Sequence, residues 1–184
     1  MLERFKTNLV WIDLEMTGLN PEKDTILEIA TVITNNNLEI VATGPALVIH
    51  HTDEALSKMD EWCIKQHALS GLVSAVRAST VSLEEAYKAT LEFLKLHVKE
   101  HQAPICGNSI WQDRIFLKKH MPAIDKFLNY RIIDVSSVKE TIGRWYPENP
   151  KARFFKPENH RALEDTMNSI QELRHYRSNF FITN

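Results

Sequence analysis

The sequence predicts an α/β fold in which a mixed five-stranded sheet is flanked by helices. Three observations predict it: three consecutive strand-like segments, helical segments after them, and two further short strands between those helices. Consecutive strands followed by helices indicate an antiparallel meander that grows into a mixed sheet. With 184 residues, no internal repeat and no convincing linker, one domain spanning 1–184 is expected.

Turn signals separate the first three predicted strands. The apolar run Leu9–Ile12 belongs to a strand that ends near Met16, and residues 17–21 form a turn. The second strand is predicted from Thr25 to Thr34. Three asparagines then mark a turn, and the third strand runs from Leu38 to His50.

Helices and short strands alternate in the rest of the sequence. Ser82-Leu83-Glu84-Glu85 is a capping box that begins a helix to about His101. The other predicted elements are, in order, a helix at Ser57–Gln66, a strand at Pro104–Gly107, a helix at Gln112–His120, a strand at Arg131–Asp134, a helix to about Trp145 and a helix from about Asn159.

Composition is ordinary for a globular protein, with 43% hydrophobic and 25% charged residues. The formal net charge of −2 argues against a basic surface that wraps long nucleic acid. Cys63 and Cys106 match neither a metal motif nor a disulfide framework, so both are expected in the core. The N-terminal apolar run is too short for a signal peptide, and no run could span a membrane. A cytoplasmic protein without a membrane partner is therefore expected.

Two carboxylates stand where the first strand should be buried. Side chains alternate along a strand, so Asp13 and Glu15 should emerge on one face, roughly 7 Å apart. Burying two unpaired carboxylates is costly. A divalent cation would offset that cost, because hard cations prefer carboxylate oxygen. The alternative is that both acids face solvent on an edge strand.

Further acids occur at two later junctions. Asp113 follows the strand that ends near Gly107, and His160 precedes Asp165 where the last helix begins. Asp-x-Glu, a distant Asp and then His-x4-Asp resemble the signature of the DEDD exonuclease superfamily in its histidine subtype. Neutralising the four acids with metal would change the formal charge from −2 to +2. That balance suits a short oligonucleotide with few phosphates.

Longer segments resemble the oligoribonuclease family. They are Trp11–Leu19, Cys106–Ile110, Tyr130–Ser136 and His160–Asp165. The resemblance implies a ribonuclease H-like fold and a homodimeric, metal-dependent 3′-to-5′ exoribonuclease. Its substrate would be single-stranded RNA of about two to five nucleotides, whose few phosphates need little positive charge, and its products nucleoside 5′-monophosphates. The sequence departs from the family at Trp111, where glycine is usual, and at Ile115, where a basic residue is usual.

Under this resemblance, four carboxylates hold two divalent ions, Mg²⁺ or Mn²⁺, for phosphodiester hydrolysis. Asp13 at its strand end would bridge the two ions, and Glu15 on the same face would hold the ion nearest the attacking water. Asp165 would complete that ion's ligands, and Asp113 would support the other ion from a helix on the opposite wall. Asp134 is interpreted as a structural N-cap of the next helix.

His160 is predicted to be the general base that takes a proton from the attacking water, because an imidazole pKa lies near working pH. Five residues of helix correspond to about 500°, which leaves His160 and Asp165 roughly 140° apart. His160 must therefore lie at or before the first helical turn, where residues 157–159 let it lean over the site. The alternative is a surface or capping histidine.

Substrate contacts follow from the resemblance alone. Leu19 matches a residue that wedges between bases, and Trp62 matches an aromatic that stacks on a base, a contact worth roughly 1–3 kcal/mol. His67 matches a contact to the substrate backbone. Without the resemblance, Trp62 would be assigned to the core.

A second group of substrate residues would recognise the 5′ end of the RNA. Ser109, Arg131 and Ser136 match the group that caps a terminal 5′ phosphate, where arginine offers a bidentate fork. Tyr130 matches an aromatic that the neighbouring subunit delivers into the site.

Two other functions fit parts of this pattern. A proofreading-type DNA exonuclease would share all five catalytic positions, but an enzyme for long strands must leave the 5′ end open. The 5′-phosphate cap therefore discriminates against it. A non-catalytic ribonuclease H-like binding module is the alternative from a different class. The intact acid set argues against that module, because loss of a carboxylate is expected there.

Overall fold

The fold is a mixed five-stranded sheet with helices packed against it, seen in a computed structural model that describes residues 6–156 and 161–181. The strands are β1 (Leu9–Met16), β2 (Ile26–Thr34), β3 (Ile40–Val48), β4 (Ile105–Gly107) and β5 (Ile132–Asp134). The helices are α1 (Asp53–Leu56), α2 (Glu61–Leu69), α3 (Leu72–Ala78), α4 (Leu83–His97), α5 (Ile110–His120), α6 (Pro122–Phe127), α7 (Val135–Trp145) and α8 (Ala162–Phe180). The predicted fold class is confirmed.

The strand order is β3-β2-β1-β4-β5, which places β1 in the centre of the sheet. β2 is antiparallel to both β1 and β3, whereas β4 is parallel to both β1 and β5. The carboxyl ends of β1, β4 and β5 therefore lie at one edge of the sheet. Within residues 6–156 and 161–181, no helix has the length and apolar character needed to cross a membrane.

Strand β1 contributes to two cores, because its side chains alternate between the faces of the sheet. Val10, Ile12 and Leu14 pack in the core that includes residues of α4, α5 and α6. Leu9 and Trp11 pack in the core on the other face, with residues of α7 and α8. Asp13 and Glu15 follow Leu9 and Trp11 on the same face of the strand, and they therefore lie beneath α8.

The predicted helix at Ser57–Gln66 has the wrong bounds. The chain instead forms α1 and, after a break, α2. Asp60 caps α2, since its Oδ1 accepts a hydrogen bond from the Cys63 N–H at 2.7 Å. A carboxylate that satisfies a helical N–H in this way begins a new helix and ends the preceding turn.

Helices α3 and α6 were not predicted, and proline explains the second. Helix α5 ends at His120, as predicted, and Pro122 then begins α6. Proline suits a first helical position because its missing N–H has no helical partner there.

Helix α5 begins at Ile110, two residues before its predicted start, and α8 begins at Ala162. The predicted start of α8 near Asn159 lies outside the described residues.

The predicted capping box of α4 is present. The Glu85 N–H donates to Ser82 Oγ at 3.2 Å, and the Ser82 N–H donates to Glu85 Oε2 at 2.8 Å. Two N–H groups that the helix itself cannot satisfy are thereby paired.

We expect Ser82→Ala to lower the free energy of unfolding by about 1 kcal/mol, because it removes the acceptor for the Glu85 N–H. For a protein of this size the melting temperature should fall by about 2–4 °C. Thermal unfolding monitored by circular dichroism measures it. Ser178→Ala, at an exposed position of α8, is the matched control, and an equal effect in both variants would refute the capping role.

Candidate active site

Three carboxylates converge at the carboxyl end of β1. Asp13 and Glu15 of β1 and Asp165 in the first turn of α8 each offer one oxygen, and these oxygens lie within 4.8 Å of one another. Asp13 and Glu15 share the face beneath α8, as the strand alternation predicts. The alternative of an edge strand is wrong, since β1 is the central strand. We call Asp13, Glu15 and Asp165 the acid cluster.

Asp113 approaches the cluster from α5. Its side chain is buried, and its Oδ1 accepts a hydrogen bond from the backbone N–H of Leu14 at 2.9 Å. That contact joins the first turn of α5 to β1 between the two acids of the strand. All four acids line one cavity of about 270 Å³, together with Lys156.

Burial and mutual repulsion disfavour the ionised form of the acids. Burial raises the pKa of Asp13 well above its usual range, and Asp113, Glu15 and Asp165 raise it further. Burial, then Asp165 and Glu28, raise the pKa of Glu15 to about 8. Burial also raises the pKa of Asp113 to about 7. Lys156 acts on the pKa of Asp13 in the opposite direction, and sequence reasoning did not identify this lysine.

The donor set fits a divalent cation. It consists of carboxylate oxygens, which Mg²⁺ and Mn²⁺ prefer. Three of these oxygens are close enough to one another to share an ion, and a bound cation would favour the ionised form that burial and mutual repulsion disfavour. The raised pKa values therefore have the direction expected where carboxylates converge to hold a cation.

His67 is buried beside Glu15. Its ring is only 3% exposed. Nε2 lies 2.9 Å from the carbonyl oxygen of Met16, which can only accept, so Nε2 carries the proton. Nδ1 then faces Glu15 Oε2 at 3.8 Å. The structure thus places His67 against a predicted metal ligand, and its predicted contact with the substrate backbone stays a prediction.

The loop after β1 presents Leu19 to solvent, with 70% of its surface exposed. Gln112 Nε2 of α5 donates to the Leu19 carbonyl at 2.8 Å, and the Asn20 N–H donates to Asp24 Oδ2 at 2.9 Å. A Cβ at Gly18 would lie 2.6 Å from the Asp24 carboxylate, so a larger residue there would displace that carboxylate. Sequence reasoning did not identify Gln112 or Asp24 as supports of Leu19.

Trp62 lies on α2 and is 60% exposed. An indole with this exposure is available for stacking, in contrast to the core position that the sequence alone favours for a tryptophan. Its role as a base-stacking residue stays a prediction.

Two of the three predicted phosphate-cap residues are in contact. Ser109 Oγ lies 3.1 Å from Ser136 Oγ. Asp134 accepts the N–H groups of both serines, each at 2.9 Å. The interpretation of Asp134 as the N-cap of α7 is confirmed. Asp134 also orients the loop at Ser109, whose φ of 49° lies in the left-handed region.

Arg131, the third predicted cap residue, stacks on a neighbouring aromatic ring, and its role in the cap stays a prediction. It stands three residues before Asp134, about 10 Å earlier along an extended chain. Its guanidinium lies over the ring of Tyr130, 4.4 Å from the ring centroid. Tyr130 is 72% exposed, so both side chains are available to a ligand or a second subunit.

Three further residues singled out from the sequence are His160, Trp111 and Ile115. His160 lies outside the described residues, immediately before Arg161 in the sequence. Trp111 and Ile115 are exposed on α5. Two residues of helix correspond to about 200°, so Trp111 and Asp113 point in opposite directions. The family departure at Trp111 therefore leaves Asp113 in contact with β1.

Comparisons with known proteins identify the family of this chain. A family model described as Exonuclease matches residues 10–173. The chain is 54% identical over 175 residues to an oligoribonuclease of Pseudomonas syringae pv. syringae (strain B728a), covering 95% of this chain and 97% of that protein. It is 55% identical over 175 residues to an oligoribonuclease of Ruthia magnifica subsp. Calyptogena magnifica, with the same two coverages.

Among solved structures, exonuclease I of E. coli in complex with single-stranded DNA has the same fold. The TM-score is 0.73 at 13% identity, over 95% of this chain. The match spans only 41% of that longer chain. At this identity the likeness concerns the fold alone. The sequence matches carry the assignment further: the chain is a nuclease and belongs to the oligoribonuclease family.

Proposed function

We propose that this protein hydrolyses very short single-stranded RNA, down to dinucleotides, from the 3′ end and releases nucleoside 5′-monophosphates. The single observation that carries the proposal is the convergence of Asp13, Glu15 and Asp165 at the end of β1. The relatives that match along almost the whole chain are oligoribonucleases by name. A turnover series on RNA of increasing length tests the proposal.

The four acids would hold two divalent ions, Mg²⁺ or Mn²⁺. When bound, the ions would neutralise charge on the phosphoryl oxygens and lower the pKa of the attacking water. Asp13, Glu15 and Asp165 are close enough to share an ion. Asp113 keeps one oxygen on the Leu14 N–H, so its other oxygen is the one available to an ion or its water.

Proton transfer is assigned to His160. It would take the proton of the attacking water while unprotonated, and a positioned general base of this kind contributes about 10²–10⁴-fold to a rate. Arg161, the next residue, is anchored to the sheet. His160 directly precedes this anchored residue in the sequence, which supports its assignment to the site.

Selection of short RNA is assigned to the cap. Ser109 and Ser136 already lie side by side, and the exposed Arg131 would leave the Tyr130 ring to meet a terminal 5′ phosphate. A phosphate held at a constant distance from the acids would make the dinucleotide the best-fitting substrate. Leu19 would separate the two bases, and Trp62 would stack on one of them.

A homodimer follows from the same proposal. Tyr130 would enter the site of the neighbouring subunit, which requires the exposure that the ring has. Sedimentation equilibrium measures the mass of the assembly, and a monomer at the concentration of full activity would refute this part of the proposal.

The alternatives are less well supported. Exonuclease I in complex with single-stranded DNA shares the fold at 13% identity, which carries no argument about substrate. A non-catalytic module would not need four carboxylates in one cavity, where burial and mutual repulsion raise the pKa values of Asp13 and Glu15. Such an arrangement has a cost in free energy, and metal binding explains why it is kept.

We expect Asp13→Ala, Asp113→Asn and Asp165→Ala each to abolish RNA hydrolysis. Ligands of one metal site act as a unit, so a double variant should be no worse than either single variant. Asparagine at 113 keeps an acceptor for the Leu14 N–H. Turnover of a 5′-phosphorylated RNA dinucleotide in excess Mg²⁺ is the measurement, with exposed Glu92→Ala as control. Near-normal turnover in a ligand variant would remove that residue from the site.

We expect Arg131→Ala to weaken dinucleotide binding by about 1.5–3 kcal/mol, the range for a hydrogen bond to a charged group. Removing the 5′ phosphate from the substrate should cost the wild type a similar amount and the variant little more. Single-turnover kinetics on RNA strands of about 2–20 nucleotides measures both effects. Arg144→Ala, on exposed α7 surface, is the control. Equal penalties for all lengths would refute the cap.

The raised pKa values also predict how stability depends on pH. A carboxyl group whose pKa is higher in the folded state than in the unfolded state makes the folded state bind more protons. Its contribution to stability is full below the unfolded pKa and is lost as pH rises through the folded pKa. For Glu15 the window runs from its usual value of 4.5 to about 8.

We therefore expect the melting temperature of metal-free protein to fall between about pH 5 and pH 8, and Glu15→Gln to reduce this fall by several °C. Saturating Mg²⁺ should raise the melting temperature more at pH 8 than at pH 5, because protons compete with the ion for the same oxygens. Scanning calorimetry in chelator and in Mg²⁺ is the measurement, with Glu92→Gln as control. Identical pH profiles for wild type and Glu15→Gln would contradict the assignment.

A further inference from the structure

Glu28 places a charge inside β2, a strand whose nine residues are all buried. Its side chain is 4% exposed. In the register of the sheet, Glu28 is the direct partner of Glu15 on β1. Directly paired residues of antiparallel strands point to the same face, so Glu28 lies beside the acid cluster.

Glu28 is fully engaged by the start of α8. Arg161 Nη2 donates to Glu28 Oε1 at 2.8 Å, and Arg161 Nε donates to Oε2 at 3.0 Å. The backbone N–H of Ala162 also donates to Oε2, at 3.1 Å. We call this bidentate ion pair with its backbone hydrogen bond the Glu28–Arg161 clasp.

The clasp supplies a cap that α8 does not have in its own sequence. Arg161 occupies the N-cap position, and its side chain makes no capping hydrogen bond. The Glu28 carboxylate, from a strand distant in sequence, takes the place of a capping side chain. A carboxylate there satisfies a helical N–H and interacts favourably with the positive end of the helix dipole.

One hydrogen bond connects the clasp to the acid cluster. The Asp165 N–H donates to the carbonyl oxygen of Arg161 at 2.9 Å, closing the first turn of α8. The backbone of Asp165 is thereby joined to the residue that the clasp holds.

We propose that the Glu28–Arg161 clasp is a positioning device for the metal site, which holds the first turn of α8 so that Asp165 meets the two acids of β1. The inference rests on the proposed metal dependence of the protein. Both Glu28 oxygens are occupied by α8, so Glu28 acts through Arg161 and Asp165 and is a positioning residue. Partners of this kind, one contact removed from the ion, commonly change metal affinity by about 10–100-fold when they are altered.

The rest of α8 is held independently of the clasp. Asn108 Nδ2 donates to Ser169 Oγ at 2.8 Å and to Glu172 Oε2 at 3.1 Å, and the Tyr176 hydroxyl donates to Glu172 Oε1 at 3.0 Å. Ile170 is buried in the core beneath the helix. Loss of the clasp should therefore displace the first turn while the helix stays docked.

The test measures Mn²⁺ binding to metal-free protein by isothermal titration calorimetry. We expect Glu28→Gln and Arg161→Met each to raise the dissociation constant by about 10–100-fold. Arg161→Lys, which keeps the charge and loses the fork, should show a smaller rise. The double variant Glu28→Gln/Arg161→Met should resemble the single variants, because each single change already breaks the clasp. It also avoids leaving one buried charge unpaired.

Tyr176→Phe is the matched control, because it removes a buried hydrogen bond from the same helix two turns or more from the cluster. It should lower the melting temperature and leave Mn²⁺ affinity unchanged. The clasp proposal is overturned if Mn²⁺ binding is unchanged or tighter in Glu28→Gln. It is equally overturned if Glu28→Gln and Tyr176→Phe weaken Mn²⁺ binding alike, since the clasp would then serve stability alone.

Kinetics provide a second, separate result. In the clasp variants the Mg²⁺ concentration for half-maximal hydrolysis should rise, while KM for the RNA dinucleotide at saturating Mg²⁺ stays near the wild-type value. If wild-type protein binds Mn²⁺ but does not hydrolyse RNA, the proposed function fails. The calorimetric comparison of clasp and control variants still decides the positioning role in that case.

Discussion

Mutual repulsion among buried carboxylates is the constraint around which this fold is arranged. Asp13 and Glu15 stand on the central strand beneath α8, and Asp113 and Asp165 approach from two helices. Burial raises the pKa values of Asp13, Glu15 and Asp113, and neighbouring carboxylates raise them further. The fold holds them together nevertheless, by packing β1 between two cores and joining α5 to its backbone.

The polar groups around the acids each join two elements near the site by hydrogen bonds. Asp113 joins α5 to β1 through the Leu14 N–H, and Gln112 joins α5 to the loop that carries Leu19. Asp134 holds the backbone of Ser109 and Ser136. Because each contact joins two different elements, the helices and loops at the carboxyl edge of the sheet are held in fixed positions relative to one another. A substrate therefore meets side chains whose backbone is already ordered, which reduces the entropy lost on binding.

Local patterns in the sequence predicted what local physics determines. The alternation of β1, the capping box at Ser82 and the N-cap at Asp134 each depend on residues within a few positions of one another, and each is present. Helix α6 was not predicted because proline permits both a stop and a start. The Glu28–Arg161 pair could not be predicted, since its partners lie 133 residues apart. Its only signal was a glutamate within an apolar strand.

The wide separation of these partners has a consequence for the order in which the chain is made. Residues 13, 15 and 28 emerge first during synthesis, whereas Arg161 and Asp165 emerge after more than a hundred further residues. Domains acquire their long-range contacts only once the distant segment is available. A nascent chain thus carries three of its four acids without a complete site. Its ability to cleave RNA arises only when α8 docks, after residues 162–180 have been translated.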